Sequence, residues 1–219
     1  MSKRRKLIIS SIVLFIISVM YTLIVKNIDL SPIGPNDSVV GLSTMNNWFY
    51  NINGVNNMWY KITEYLGIIP FIICAFYFLK GIQQLIKYKN IKKVDKRLIY
   101  LGILYITMGI VYIFFEKIII NYRPVLEDGV LEASYPSSHT MLAVCICLSS
   151  LLISKYYIKN TIILKVFDSI TWVLLVFIVG GRILSGYHWL SDIIGGILIS
   201  LFLVTTYHAF SYSPKKLQK

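Results

Sequence analysis

Six long apolar runs, at residues 7–25, 66–79, 98–115, 141–153, 166–179 and 189–206, constrain this chain more than any other feature in it. A bilayer takes about 20 mostly apolar residues per helix, and each run reaches that length once its polar ends are counted. The composition agrees, with 56% hydrophobic and only 15% charged residues among 219, far more apolar than soluble usage. The sequence therefore predicts an all-α polytopic membrane protein, a bundle of six transmembrane helices forming one domain over residues 1–219. The second run is the weakest, with Trp59 and Tyr60 on its flank, Lys61 and Glu64 at its start and Pro70 inside it.

The basic residues sort by loop. Four lie at residues 3–6, seven in 80–97, three in 155–165 and three in the tail, against five elsewhere: Lys26, Lys61, Lys117, Arg123 and Arg182. By the positive-inside rule both termini are expected to be cytoplasmic in a multi-pass cell-membrane protein. The basic start and the apolar run behind it read as an uncleaved anchor, because the run is long for a signal peptide and no A-x-A-like site follows. The net charge of +12 flanks membrane spans and forms no extended face, so anionic lipid headgroups are the expected partners and nucleic acid is not.

Cys74, Cys145 and Cys147 all lie inside apolar runs, where they read as small hydrophobes with neither a disulfide nor a zinc framework. Residues 26–58 form a long outer loop whose "NNWFYNI" piece fits a short interfacial helix. Residues 80–97 read as a helical connector on the inner side.

The remaining polar residues gather on one side. Eight of the ten acidic residues, and His139 and His188 of the three histidines, fall on the outer side of this topology. Three stretches there border spans: "EKIIINYRP" (116–124), "YPSSHT" (135–140) and "GRILSGYHWLSD" (181–192). Ionisable residues at a membrane edge are expensive and are a functional-site hypothesis by default.

Their residue types suit a phosphate group. Arg123 and Arg182 can each grip one through two parallel hydrogen bonds. The fourth and sixth spans both start on the outer side, and a helix N-terminus binds phosphate readily, with Ser137, Ser138 and His139 at one of them. His188 and Asp192 are four apart, one turn from each other on a helical face, where a carboxylate can hold one imidazole nitrogen and leave the other free. Glu127, Asp128 and Glu132 in the intervening loop read as solvated charges, with a headgroup or cation contact as the alternative.

These stretches resemble the type 2 phosphatidic acid phosphatases, the superfamily that includes bacterial acid phosphatases and vanadium-dependent haloperoxidases. The family pattern is Lys, six residues, Arg-Pro; then Pro-Ser-Gly-His; then Ser-Arg, five residues, His, three residues, Asp. Here the second part is Pro136-Ser137-Ser138-His139, and the third is Gly181-Arg182, five residues, His188, three residues, Asp192. The resemblance covers roughly residues 98–206. It departs at the lysine: Lys117 lies six positions before Arg123, and Glu116 occupies the expected place. On a helix, positions seven apart nearly coincide, while positions six apart differ by about 120°. Glu116 is thus expected to share the face of Arg123 unless a bulge restores Lys117.

The resemblance implies a membrane lipid phosphatase with its site at the extracytoplasmic face. His188 would be the nucleophile of a phosphohistidine intermediate, Asp192 its support, and His139 the acid for the leaving oxygen. Arg123, Arg182, Ser137, Ser138 and Lys117 would bind the phosphate. No cofactor and no metal is implied. Undecaprenyl diphosphate, phosphatidic acid and phosphatidylglycerol phosphate are all candidate substrates, and the Ile, Lys, Asn and Tyr bias favours undecaprenyl diphosphate recycling in a cell envelope. A lipid phosphotransferase using the same histidine, or a non-catalytic lipid-phosphate transporter or binder, are the alternatives.

Overall fold

The computed structural model describes residues 1–212; Lys215, Lys216 and Lys219, counted above with the inner charges, lie outside the described residues. The described chain runs through eight helices: α1 (Lys3–Asn27), α2 (Ser43–Asn53), α3 (Asn57–Leu66), α4 (Ile68–Tyr88), α5 (Lys96–Lys117), α6 (Ser138–Tyr157), α7 (Thr161–Ser185) and α8 (Leu190–Ser211). Short 3-10 turns at Pro35–Asp37 and Ile91–Lys93 punctuate the connections.

Six helical segments are long and apolar enough to cross a membrane, α3 and α4 together making the second, Asn57–Tyr88. The six apolar runs of the sequence fall within them, except that Trp189 stands one residue ahead of α8. Gly67 marks the α3–α4 joint, and Pro70 follows within the first turn of α4. Proline is tolerated there because first-turn amides have no intrahelical acceptor to lose. "NNWFYNI" lies in α2, the expected short outer helix. The 80–97 connector is shorter than a separate helix, since α4 runs on to Tyr88 and α5 begins at Lys96.

Helices α6 and α8 occupy the middle of the bundle. Gly196 and Ser200 of α8 meet α6 directly, at Thr140 and at the Met141 carbonyl, and small residues let membrane helices approach closely. Tyr77 of α4, Leu101 and Leu104 of α5, Met141 and Cys145 of α6, and Leu203 and Tyr207 of α8 form one apolar cluster. A second joins Val144 and Cys147 of α6 to Leu174, Leu175 and Ile178 of α7. Helix α1 lies antiparallel along α8, tied by Ser11 to Thr206 at 2.5 Å and by the Tyr21 hydroxyl to the Ser191 carbonyl at 3.2 Å. Its other faces, with Ile12, Phe15 and Ile16, are exposed, as lipid contact requires.

The two ends of the bundle differ. At one, Lys3 Nζ lies 5.2 Å from the ring of Tyr212. At the other, α6 and α8 begin, α5 and α7 end, and two loops cover them. The 118–137 loop is pinned by the antiparallel bridges Tyr122–Ala133 and Glu127–Val130. The 28–42 segment is anchored by Gly41, whose amide donates to Asn121 Oδ1 at 3.0 Å.

Candidate active site

His188 lies in the short turn between α7 and α8, which Gly186 opens with φ +68°, a conformation that favours glycine. Its ring is 4% exposed. Nδ1 is 2.9 Å from the Ser134 hydroxyl and 3.1 Å from the Ser134 carbonyl. A carbonyl only accepts, so Nδ1 carries the ring proton and Nε2 keeps its lone pair. Nε2 is buried and has no hydrogen-bond partner in the protein.

Asp192 does not sit where the four-residue spacing places it. Helix α8 begins at Leu190, so His188 precedes the helix and the one-turn relationship does not form. The Asp192 carboxylate turns back to its own helix N-terminus, where Oδ2 accepts from the Trp189 amide at 3.1 Å. The same oxygen accepts from the Ser134 hydroxyl at 2.6 Å, and Oδ1 from Asn121 at 3.0 Å and Ser191 at 3.2 Å. Four donors thus hold a fully buried carboxylate, and it reaches His188 through Ser134. Neither Ser134 nor Asn121 has a sequence signal of its own, since the 118–137 loop alone brings them here.

The two arginines are both paired with acids. Arg182, on α7, is wholly buried; its Nη2 donates to Glu64 Oε1 at 2.6 Å, its guanidinium carbon lies 5.0 Å from the Tyr60 ring centre, and its Nε and Nη1 have no partner. Arg123, in the loop, pairs with Glu127 at 2.5 Å and with Glu132 at 3.4 Å, while its Nε is buried without a partner. Glu127 also accepts from the Tyr60 hydroxyl, and Tyr60 stacks on Tyr187 with ring centres 3.8 Å apart. Glu127 and Glu132 keep contact with water, at 29% and 44% side-chain exposure, but they are not free loop charges, because the hairpin turns both onto Arg123.

Ser137 and Ser138 divide. Ser137 is fully buried; its amide donates to the Asp192 carbonyl at 3.0 Å and its hydroxyl accepts from Thr140 at 3.0 Å. It thus ties the start of α6 to the start of α8 and, like Arg182, does not line the cavity beside His188. Ser138 lines a cavity of about 300 Å³ together with Glu116, Arg123, Ser134 and His188. His139, the next residue, faces an adjoining cavity of about 350 Å³ that also touches Tyr112 and Ser138 and is otherwise walled by apolar side chains such as Phe71, Met108 and Leu142. His139 Nε2 lies 3.1 Å from Glu64 Oε1, and its Nδ1 is buried without a partner.

Lys117 is exposed and does not line either cavity, whereas Glu116 lines the first. Of the two candidates for the motif's lysine position, Glu116 is thus the one beside the cavity. The register argument does not decide the matter either, because α5 ends at Lys117 and Arg123 is not on that helix. Glu64 was visible in the sequence only as an acid at the head of an apolar run. Such a residue is a functional-site signal in itself.

Burial, and then the neighbouring Arg123, Arg182 and His139, push the His188 imidazole well below the usual histidine range, against the hydrogen bond to the Ser134 carbonyl, which raises it. Loss of water and neighbouring positive charge both disfavour adding a proton to the ring. Glu132 moves the other way: burial raises its carboxyl against the opposing pull of Arg123.

Six membrane-length helices, with a buried imidazole, one buried and one half-buried guanidinium group and a buried carboxylate gathered at one end of the bundle, define a polytopic membrane protein. The model of the PAP2 superfamily matches residues 83–215, more than half of the chain, and the protein belongs to that family. Its structure is similar to the crystal structure of the first transmembrane PAP2 type phosphatidylglycerolphosphate phosphatase from Bacillus subtilis. The TM-score is 0.64 at 16% identity, over 95% of this chain and 98% of that one, a likeness of fold. No curated protein matches the sequence significantly.

Proposed function

We propose that the protein is a membrane lipid phosphatase that hydrolyses a phosphate ester or diphosphate through a phosphohistidine on His188. The observation that carries this reading is the state of that ring: Nδ1 is committed to Ser134, and the buried Nε2 is left as a free lone pair. Phosphoryl transfer depends on positioning and on cations that meet the charge of the equatorial oxygens. The unpartnered Nε and Nη1 of Arg182 and Nε of Arg123 are donors for those oxygens, with Ser138 beside them.

In the first step the Nε2 lone pair attacks phosphorus, an N–P bond forms and the P–O bond to the lipid breaks. The electron pair leaves on the lipid oxygen, which takes a proton from His139. In the second step water attacks phosphorus, gives a proton back to His139 and returns the electron pair to His188. These residues complete both steps without a metal ion.

The cavity at His139 is polar at the Ser138 end and apolar beyond it, which suits a headgroup held at the site with its chain in the bilayer. Phosphatidic acid, phosphatidylglycerol phosphate and undecaprenyl diphosphate all have that form, and the phosphatidylglycerolphosphate phosphatase of similar fold adds support for the second. The charge distribution of the loops supports a site on the extracytoplasmic side, with cytoplasmic termini.

The test is phosphate release by the purified protein over a panel of these lipids, with His188→Ala alongside. Turnover of at least one lipid and its loss in the variant are expected. No turnover, or an equally active variant, would show the reading to be wrong.

A further inference from the structure

Glu64 stands outside the three motif stretches, on α3, yet a single carboxylate oxygen meets two members of the site. Oε1 lies 3.1 Å from His139 Nε2 and 2.6 Å from Arg182 Nη2. The other ring nitrogen of His139, Nδ1, is buried with no partner. The α3–α4 joint packs beside that ring: a Cβ on Gly67 would touch His139 Cδ2 at 3.4 Å.

We infer that Glu64 is the positioning carboxylate of His139, holding its Nε2–H so that Nδ1 delivers the proton to the leaving oxygen. The inference rests on the phosphatase reading above and extends it with a second supported imidazole, whose support comes from a helix outside the motifs. A carboxylate beside an imidazole stabilises the protonated ring and fixes which nitrogen faces the reaction. When the lipid oxygen takes the Nδ1 proton, Nε2 keeps its own proton against Glu64. Nδ1 is then the basic atom that takes the proton from the attacking water, which restores the starting state.

A carboxylate that only neutralised the buried Arg182 would act on phosphate binding and would serve every substrate alike. A carboxylate that positions the acid serves substrates in proportion to how much their leaving group needs a proton. Glu64→Gln keeps the side-chain volume and an oxygen that can accept from Arg182, so it separates the two roles.

The full-length variant should be assayed on phosphatidic acid, whose alkoxide leaves poorly, and on p-nitrophenyl phosphate, whose phenolate leaves without help. General acid catalysis contributes about 10²- to 10⁴-fold. The expected result is a kcat lower by about 10- to 100-fold on phosphatidic acid and by less than about threefold on the aryl ester. An equal loss on both substrates, or a loss on neither, overturns the inference. In a His139→Ala background, Glu64→Gln should cost less than about threefold more, and a full additional loss overturns it as well. Should Glu64→Gln not fold, Glu64→Asp, which withdraws the carboxylate by one methylene, must show the same leaving-group bias. Failure of the phosphatase reading would show separately, as no phosphate release by the parent or undiminished release by His188→Ala, and would take this inference with it.

Discussion

The Nδ1 atom of His188 meets Ser134 twice, at 2.9 Å from its hydroxyl and 3.1 Å from its carbonyl. The carbonyl fixes the tautomer, and the hydroxyl passes the ring on to Asp192, 2.6 Å further. The carboxylate thus acts on the imidazole through one intervening hydroxyl, which can accept from Nδ1 while it donates to Oδ2.

Ser134→Ala removes that link and leaves the carbonyl contact in place. Hydrogen bonds to charged groups contribute about 1.5–3 kcal/mol, so kcat/KM for phosphate release should fall by about 10- to 100-fold with the helical content unchanged. Ser134→Thr, which keeps a hydroxyl, should recover part of it. Steady-state phosphate release decides the point, and an unaltered Ser134→Ala would show that the carbonyl alone orients the ring.

Much of the architecture was legible because membrane helices are long and uniformly apolar, so the six spans needed no tertiary information. His139, Arg182 and His188 were legible as ionisable groups at span ends with distinctive spacing. The partners of those groups were not. Asp192 and His188 read as one helical face, but α8 starts between them, and a start shifted by two residues replaces direct contact by the Ser134 relay. Glu64 lies 118 residues from Arg182, a pairing that only the packing of α3 against α7 creates. Lys117 and Arg123 fall on opposite sides of a helix end, where the rule of 100° per residue no longer applies.

The depressed basicity of His188 has a direct consequence for pH dependence. The neutral ring is the nucleophile. With the pKa lowered, the neutral form persists as pH falls through about 6.5, and protonation removes it only further into acid. The kcat/KM profile reports the free enzyme, so it should show no acid limb from the nucleophile near that value. Arg123→Gln removes one of the depressing cations and should move the acid limb upward. Profiles from about pH 5 to pH 8 for both proteins test this; a limb that stays in place in the variant would contradict it.

Gly195 of α8 lies against the Tyr135 ring so closely that a Cβ there would stand 2.6 Å from Cζ and 2.7 Å from the hydroxyl. The ring has little room to give way, with Phe115 edge-on at 5.5 Å and Thr22 at 2.7 Å from its hydroxyl. Gly195→Ala should therefore displace Tyr135 and with it the adjacent Ser134. Overpacking of this kind costs about 1–3 kcal/mol, and phosphate release should drop by more than about tenfold. Gly180→Ala on α7 is the control: a Cβ there meets nothing within 4 Å, and alanine in a helix interior is neutral or stabilising by about 0.5–1 kcal/mol. Thermal unfolding in detergent and phosphate release should separate the two variants.

Arg182 and Arg123 both carry unpartnered buried nitrogens, but their settings predict unequal tolerance to lysine. The Arg182 side chain is 0% exposed and engages Glu64 through one nitrogen while two others remain free, whereas Arg123 is 12% exposed and carries two carboxylates at the water edge. Lysine replaces a planar fork of five donors by a point charge that is more strongly hydrated. At position 182 it can hold Glu64 or a phosphate oxygen but cannot span both, and its ammonium has no water to meet. Arg182→Lys should then lower kcat/KM by about 100-fold or more, while Arg123→Lys, able to keep an ion pair with Glu127, should lose about tenfold. Parallel kinetics on one lipid phosphate provide the comparison, and an Arg123→Lys loss equal to or larger than that of Arg182→Lys would show that burial does not set the demand for a guanidinium here.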